Sequence, residues 1–136
     1  MTGILLVTHS DLGKALIETL EFILNEKIDN ILSVSIDIRE NPETLRNKIK
    51  KGIKKVKDGD GVIIFTDMFG GTPSNLSYSF LEEGSVEVIS GVNLPILLKA
   101  VNLRTKKTIS EAVTQIVEHG KRSISLASGI LKGENR

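Results

Sequence analysis

The chain of 136 residues predicts an α/β fold of the doubly wound kind, a mostly parallel sheet with helices on both faces. Three observations predict it. Short β-like runs alternate along the chain with segments whose apolar residues recur every three or four positions. Two of the runs, GILLV at 3–7 and GVIIF at 61–65, are apolar or glycine throughout, as a strand covered on both faces requires. All three prolines stand where a helical pattern begins, a position in which a missing N–H costs nothing.

Taken in order, the first strand is GILLV, and a helix face follows from Leu12 through Ala15, Leu16, Leu20, Ile23 and Leu24. ILSVSI at 31–36 alternates like a strand. Pro42 then fits the first position of a second helix, with Asn41 as its cap and Leu45, Ile49, Ile53 and Val56 as its buried stripe. GVIIF is the third strand, and GGTPSN at 70–75 opens a third helix. VEVIS at 86–90 is the fourth strand, and GVNLP at 91–95 leads into ILLKAV. The last amphipathic helix carries Ile109, Ala112, Val113, Ile116 and Val117, with Gly120 as its expected end. ISLASGIL at 124–131 fits a strand or a helix equally. One domain over 1–132 is expected, with 133–136 as a frayed tail.

Composition narrows the function classes. A formal charge of +1 with 26% charged residues gives no reason to expect nucleic acid or a membrane surface as partner. Cysteine is absent, which removes disulfides and a thiolate nucleophile from consideration and fits a reducing compartment. The apolar run Ile4 to Val7 is too short for a signal peptide or a membrane span. A cytoplasmic location is the expectation.

Open parallel sheets bind ligands beyond the carboxyl ends of their strands, beside the point where strand order reverses. Three stretches end a strand and begin a helix with unusual polar or glycine content: VTHSD, TDMFGGTPSN and SGVN. His9, one of only two histidines, follows the first strand, and Asp67 follows the third at the same offset. A strand order of 2-1-3-4 makes these two neighbours. An order of 3-2-1-4 places His9 beside GVN instead. A carboxylate on one imidazole nitrogen fixes the tautomer and leaves the other lone pair free to attack, the requirement for a nucleophilic histidine. The plainer alternative is a strand-end histidine satisfied by backbone or water. Gly70 and Gly71 permit close backbone approach, and Thr72 is a candidate N-cap ahead of Pro73. The helix start so formed suits phosphate oxygens. By itself, GGTP also fits a simple strand-to-helix turn.

Other motifs are weaker. The lysine of a Walker loop and the G-x-G-x-x-G dinucleotide pattern are both missing. DMFGG is only superficially like the kinase DFG. Ser74 with His9 and Asp67 has the residue types of a hydrolase triad, but no G-x-S-x-G elbow is present. A zinc site is disfavoured without cysteine, and His119 fits the basic last turn of a helix. The basic run from Lys48 to Lys57 flanks an apolar stripe and reads as a solvated helix face, with docking of an acidic partner as a smaller alternative.

With LLVTHS, NPETL, TDMFGGTPSN and VISGVNLPILLKA in this order and spacing, the chain resembles the IIA component of the mannose-type sugar phosphotransferase system, over essentially everything up to about Gly120. The resemblance implies strand order 2-1-3-4 and a homodimer. It also makes 124–131 a candidate for a strand added antiparallel to the sheet across that dimer. It implies that His9 accepts a phosphoryl group on the nitrogen remote from the main chain, that Asp67 orients it, and that Ser10, Gly71 and Thr72 lie near the phosphate. Ser10 stands where glycine is common in the family, and a serine there is expected to cap the first helix. Met68, Phe69 and Asn93 are the expected docking rim. The implied partners are HPr as donor and a IIB component as acceptor, with membrane IIC and IID subunits served indirectly. No cofactor, metal or nucleic acid is expected. Two rivals are a phosphocarrier subunit feeding dihydroxyacetone kinase and a receiver-like regulatory domain phosphorylated on Asp67. A third is a non-catalytic binding module in which His9 is structural. Mannose, fructose, sorbose and amino sugars all remain open.

Overall fold

A computed structural model describes residues 1–133; of the expected tail, 134–136 lie outside the described residues. Four strands, β1 (Gly3–His9), β2 (Ile31–Ile36), β3 (Val62–Thr66) and β4 (Val86–Ser90), form one parallel sheet in the order β2-β1-β3-β4. Helices α1 (Leu12–Leu24), α2 (Pro42–Val56), α3 (Thr72–Tyr78), α4 (Leu94–Leu103), α5 (Ile109–Arg122) and α6 (Ala127–Leu131) make up the rest. The chain leaves β1 towards one side to make β2 and then returns past it to make β3. The switch point therefore lies between β1 and β3.

Alternation along the strands explains the two-sided cover. Ile4, Leu6, Ile63 and Phe65 face one layer, where Leu20, Leu97, Ala100, Ala112 and Ile116 of α1, α4 and α5 close the core. Leu5, Val7, Val62 and Ile64 face the other, against Leu45, Ile49, Ile53 and Val56 of α2 and Leu76 beside them. Each fully buried aliphatic side chain contributes about 1.5–3 kcal/mol. The two layers together hold the sheet as a rigid platform whose carboxyl-terminal edge carries the loops of interest.

Helix starts follow the expected chemistry. The Asn41 side chain accepts from the Glu43 N–H at 2.7 Å, and the Asn93 side chain accepts from the Ile96 N–H at 2.9 Å. Each proline occupies the first or second position of its helix. A reciprocal Thr108–Glu111 capping box starts α5.

Three expectations are corrected. The cap of α3 is Gly71, with Thr72 already inside the helix and no side-chain cap bond. Gly120 does not end α5, which runs on to Arg122; a Cβ there would lie 2.7 Å from Ile96 Cγ2, so the glycine serves close packing of α5 on α4. The segment 124–131 contains the short helix α6 and no strand. A strand needs a neighbouring edge to satisfy its backbone groups, whereas a helical turn satisfies its own. Among the described residues nothing covers that segment, and Ile124, Leu126 and Leu131 stay exposed.

Candidate functional site

The parallel register places Val7 of β1 opposite Thr66 of β3, so the residues just beyond emerge together. There the His9 backbone N–H donates to Asp67 Oδ2 at 2.8 Å, and His9 Nδ1 lies 2.8 Å from the same oxygen. Asp67 Oδ1 accepts from the Met68 N–H at 3.0 Å. An ionised carboxylate only accepts, so the ring N–H sits on Nδ1, and in the neutral ring Nε2 keeps its lone pair. The ring is 40% exposed, whereas the Asp67 side chain is 12% exposed. A partner can therefore reach the imidazole while the acid stays behind it.

Burial acts most strongly on the Asp67 carboxyl and on its own would raise its pKa. The His9 backbone N–H, the His9 ring bond and the ring's charge together outweigh it and hold the group below the usual carboxylate range. The acid therefore stays ionised as an orienting acceptor. Oδ2 takes both His9 bonds and Oδ1 accepts from the Met68 N–H, so the carboxylate is committed chiefly to His9.

The walls around the ring come from both helix starts. Gly71 packs against the imidazole edge: a Cβ there would lie 3.1 Å from His9 Cε1 and 3.3 Å from Met68 Cγ. Gly70 has φ +82°, a left-handed turn that suits glycine. Thr72 opens α3 immediately after. Met68 and Phe69 are 57% and 79% exposed, and Phe69 meets the Tyr78 ring at 6.2 Å between centroids. The structure brings His9, Asp67, Ser10, Gly71, Thr72, Met68 and Phe69 to one edge of the sheet. The Asn93 side chain is engaged as the α4 cap and makes no hydrogen bond to His9 or Asp67 among the described residues.

Ser10 does not cap α1. The residue before that helix is Asp11, which has no side-chain cap bond, and the hydroxyl that reaches in is Thr8 Oγ1, accepting from the Gly13 N–H at 2.9 Å. Ser10 itself has φ +50°, the left-handed conformation that glycine adopts most readily. That is a physical reason for glycine at this position and makes serine here a mildly strained substitute.

Sequence reasoning missed two features, Thr8 and the cleft beside His9, while the triad it disfavoured at Ser74 is indeed not formed. Thr8 was hidden because a threonine within a buried strand reads as a strand former. On the β2 side of His9, a cleft of about 530 Å³ is walled by Ile36, Ile38, Arg39 and Lys48. Arg39 is held there by Asp37 at 2.9–3.0 Å, and nothing in REN signals it. Ser74 is fully buried and donates to the Met68 carbonyl at 2.6 Å, so it is not presented to His9 as a triad serine.

Comparison with known proteins bears on the family and the fold. A family model described as "PTS system fructose IIA component" matches residues 3–117. The PTS system fructose-specific EIIA component of Bacillus subtilis (strain 168) is 30% identical over 129 residues, covering 94% of this chain and 88% of that protein. The PTS system sorbose-specific EIIA component of Lacticaseibacillus casei is 31% identical over 116 residues, covering 85% and 83%. Among solved structures, phosphotransferase system component EIIA from Streptococcus agalactiae superposes with a TM-score of 0.83 at 23% identity, over 94% of this chain and 98% of that one, a likeness of fold.

Proposed function

The chain belongs to the mannose-type IIA family of the sugar phosphotransferase system, whose members are phosphotransferase components, and from that premise we propose that it carries a phosphoryl group on His9 Nε2. The observation that carries the proposal is the single carboxylate oxygen of Asp67, 2.8 Å from Nδ1 of a ring that is 40% exposed.

In the first step, the Nε2 lone pair attacks phosphorus of the phosphohistidine of HPr. The new N–P bond forms as the donor's N–P bond breaks, and that electron pair returns to the donor imidazole. The positive charge developing on the His9 ring is stabilised by Asp67. The transfer needs in-line positioning and donors for the equatorial oxygens. The main-chain N–H groups near Ser10, Gly71 and Thr72 are the candidate donors. In the second step, a nucleophile of the IIB component attacks the same phosphorus, and the lone pair returns to Nε2. Membrane IIC and IID subunits are served only through IIB.

A carrier visited by two partners in turn needs an exposed rim, and Met68 and Phe69 are the proposed apolar docking residues beside His9. We assign Asn93 the secondary task of shaping that rim through its cap. No described helix is long and apolar enough to cross a membrane, and the reading places the protein in the cytoplasm. Exposed Ile124, Leu126 and Leu131 support a homodimer joined through the carboxyl-terminal segment.

Phosphoenolpyruvate, enzyme I and HPr supply the test. Wild type should take up one acid-labile, alkali-stable phosphoryl group, and His9→Ala none. Undiminished label on His9→Ala, or hydroxylamine-sensitive label, overturns the assignment.

A further inference from the structure

Ser74 has no task in phosphoryl transfer as described, yet its hydroxyl is placed with care. A serine in a helix has a cheap partner available, the carbonyl four residues before it. Ser77, also fully buried, takes that option and donates to the Pro73 carbonyl at 2.7 Å. Ser74 does not use Gly70; its hydroxyl reaches the Met68 carbonyl instead, 2.6 Å away. A hydroxyl has one proton to give, so the fully buried Thr66 Oγ1 must be the donor in its bond to Ser74 Oγ. The two ends of this chain of hydroxyls bracket Asp67, with Thr66 just before it and Met68 just after. The Met68 N–H also donates to Asp67 Oδ1.

We infer that Ser74 is a positioning residue for the phosphoryl carrier, acting with Thr66 through the Met68 carbonyl to fix the turn that aims the Asp67 carboxylate at His9 Nδ1. The inference rests on His9 being the phosphoryl acceptor and extends that reading to the residues behind it. The two hydroxyls are fully buried and each has a partner, and a satisfied buried network rigidifies what it touches. Loss of the Ser74 hydroxyl frees the 66–68 turn, leaves the Met68 carbonyl unpaired, and lets the acid swing off the ring. The ring then loses its fixed tautomer.

The test compares Ser74→Ala and Thr66→Val with Thr66→Ser, which keeps the hydroxyl, and with Ser77→Ala, which removes an equally buried one that does not lead to Asp67. Two readouts are taken: ring ¹⁵N NMR of His9 in the unphosphorylated protein, and the transfer rate from phospho-HPr as a function of donor concentration. Ser74→Ala and Thr66→Val should lose the Nδ1–H tautomer preference and slow saturated transfer by about tenfold with KM little changed, the low end of what removing a partner that orients a ligating histidine costs at a metal site. Thr66→Ser should restore both. Ser77→Ala should lower the urea midpoint as Ser74→Ala does, with the ring spectrum and rate of wild type. Wild-type spectrum and rate in Ser74→Ala, or equal losses in Ser77→Ala, overturn the inference. Should Ser74→Ala not fold, Thr66→Val and Thr66→Ser carry the same comparison. The NMR arm reads positioning even where no label reaches wild-type His9, so failure of the carrier reading and failure of this inference are told apart.

Discussion

At the scale of single residues, the account depends on which nitrogen of His9 is tied down. Asp67→Asn keeps the size and a hydrogen-bonding group but offers an NH₂ as readily as an oxygen, so the tautomer is no longer fixed. Transfer from phospho-HPr, followed by rapid quench, should slow at least about tenfold with the fold retained; an unchanged rate removes the orienting role. The same acid gives a pH signature. Its pKa in the folded chain lies below the ordinary value of 3.8, so its contribution to stability is complete above that value and is lost as the pH falls through the lower folded one. The urea midpoints of wild type and Asp67→Asn, apart at about pH 7, should converge below about pH 4. His9 and Asp67 were legible because residues at strand ends of an open sheet have few structural tasks there. The strain at Ser10 was not legible, since a φ of +50° is a property of the turn and not of the residue's chemistry.

At the scale of elements, the helices that open on a proline were legible, whereas the caps expected of Ser10 and Thr72 and the end expected at Gly120 were not. Proline and asparagine act locally, on a backbone they occupy, so Pro42, Pro73, Pro95 and Asn41 announced their helices, while the Asn93 cap of α4 emerged only from the structure. Gly120 announced an end that does not occur, because its purpose is the approach of Ile96 from another helix. Gly120→Ala should therefore cost stability: overpacking of about 1–3 kcal/mol exceeds the gain of about 1 kcal/mol in helix propensity. Chemical denaturation measures the balance, and a more stable variant refutes the packing role. The start of α3 makes a matching prediction for function. In Gly71→Ala the new methyl meets His9 Cε1 at 3.1 Å and must move the ring by a few tenths of an ångström. Folding should be retained and phosphoryl transfer should fall about tenfold, since sub-ångström misplacement at a reacting centre is expensive. Normal transfer in that variant shows that the ring has room to spare.

At the scale of the whole molecule, the two-layer cover of one parallel sheet was legible from apolar alternation, whereas strand order was legible only through the family resemblance, which implied the 2-1-3-4 observed. The order β2-β1-β3-β4 depends on which side of β1 each crossover returns to, and the strands themselves do not record that choice. It matters because only with β1 beside β3 do His9 and Asp67 meet. The segment 124–131 was illegible for a different reason: Ile124, Leu126 and Leu131 stay exposed among the described residues, so no packing there fixes the pattern. If it joins two copies, Leu126→Glu should shift the protein from dimer to monomer in sedimentation, with the His9 site intact. A wild-type protein that sediments as a monomer at tens of micromolar contradicts the proposed dimer. The central claim, however, is that Asp67 holds Nδ1 so that Nε2 carries the phosphoryl group. The measurement that meets it most directly is ³¹P–¹⁵N correlation NMR of the phosphorylated protein with labelled histidine. The account predicts coupling of phosphorus to Nε2 of His9, and coupling to Nδ1, or a phosphorus on a carboxylate, would contradict it.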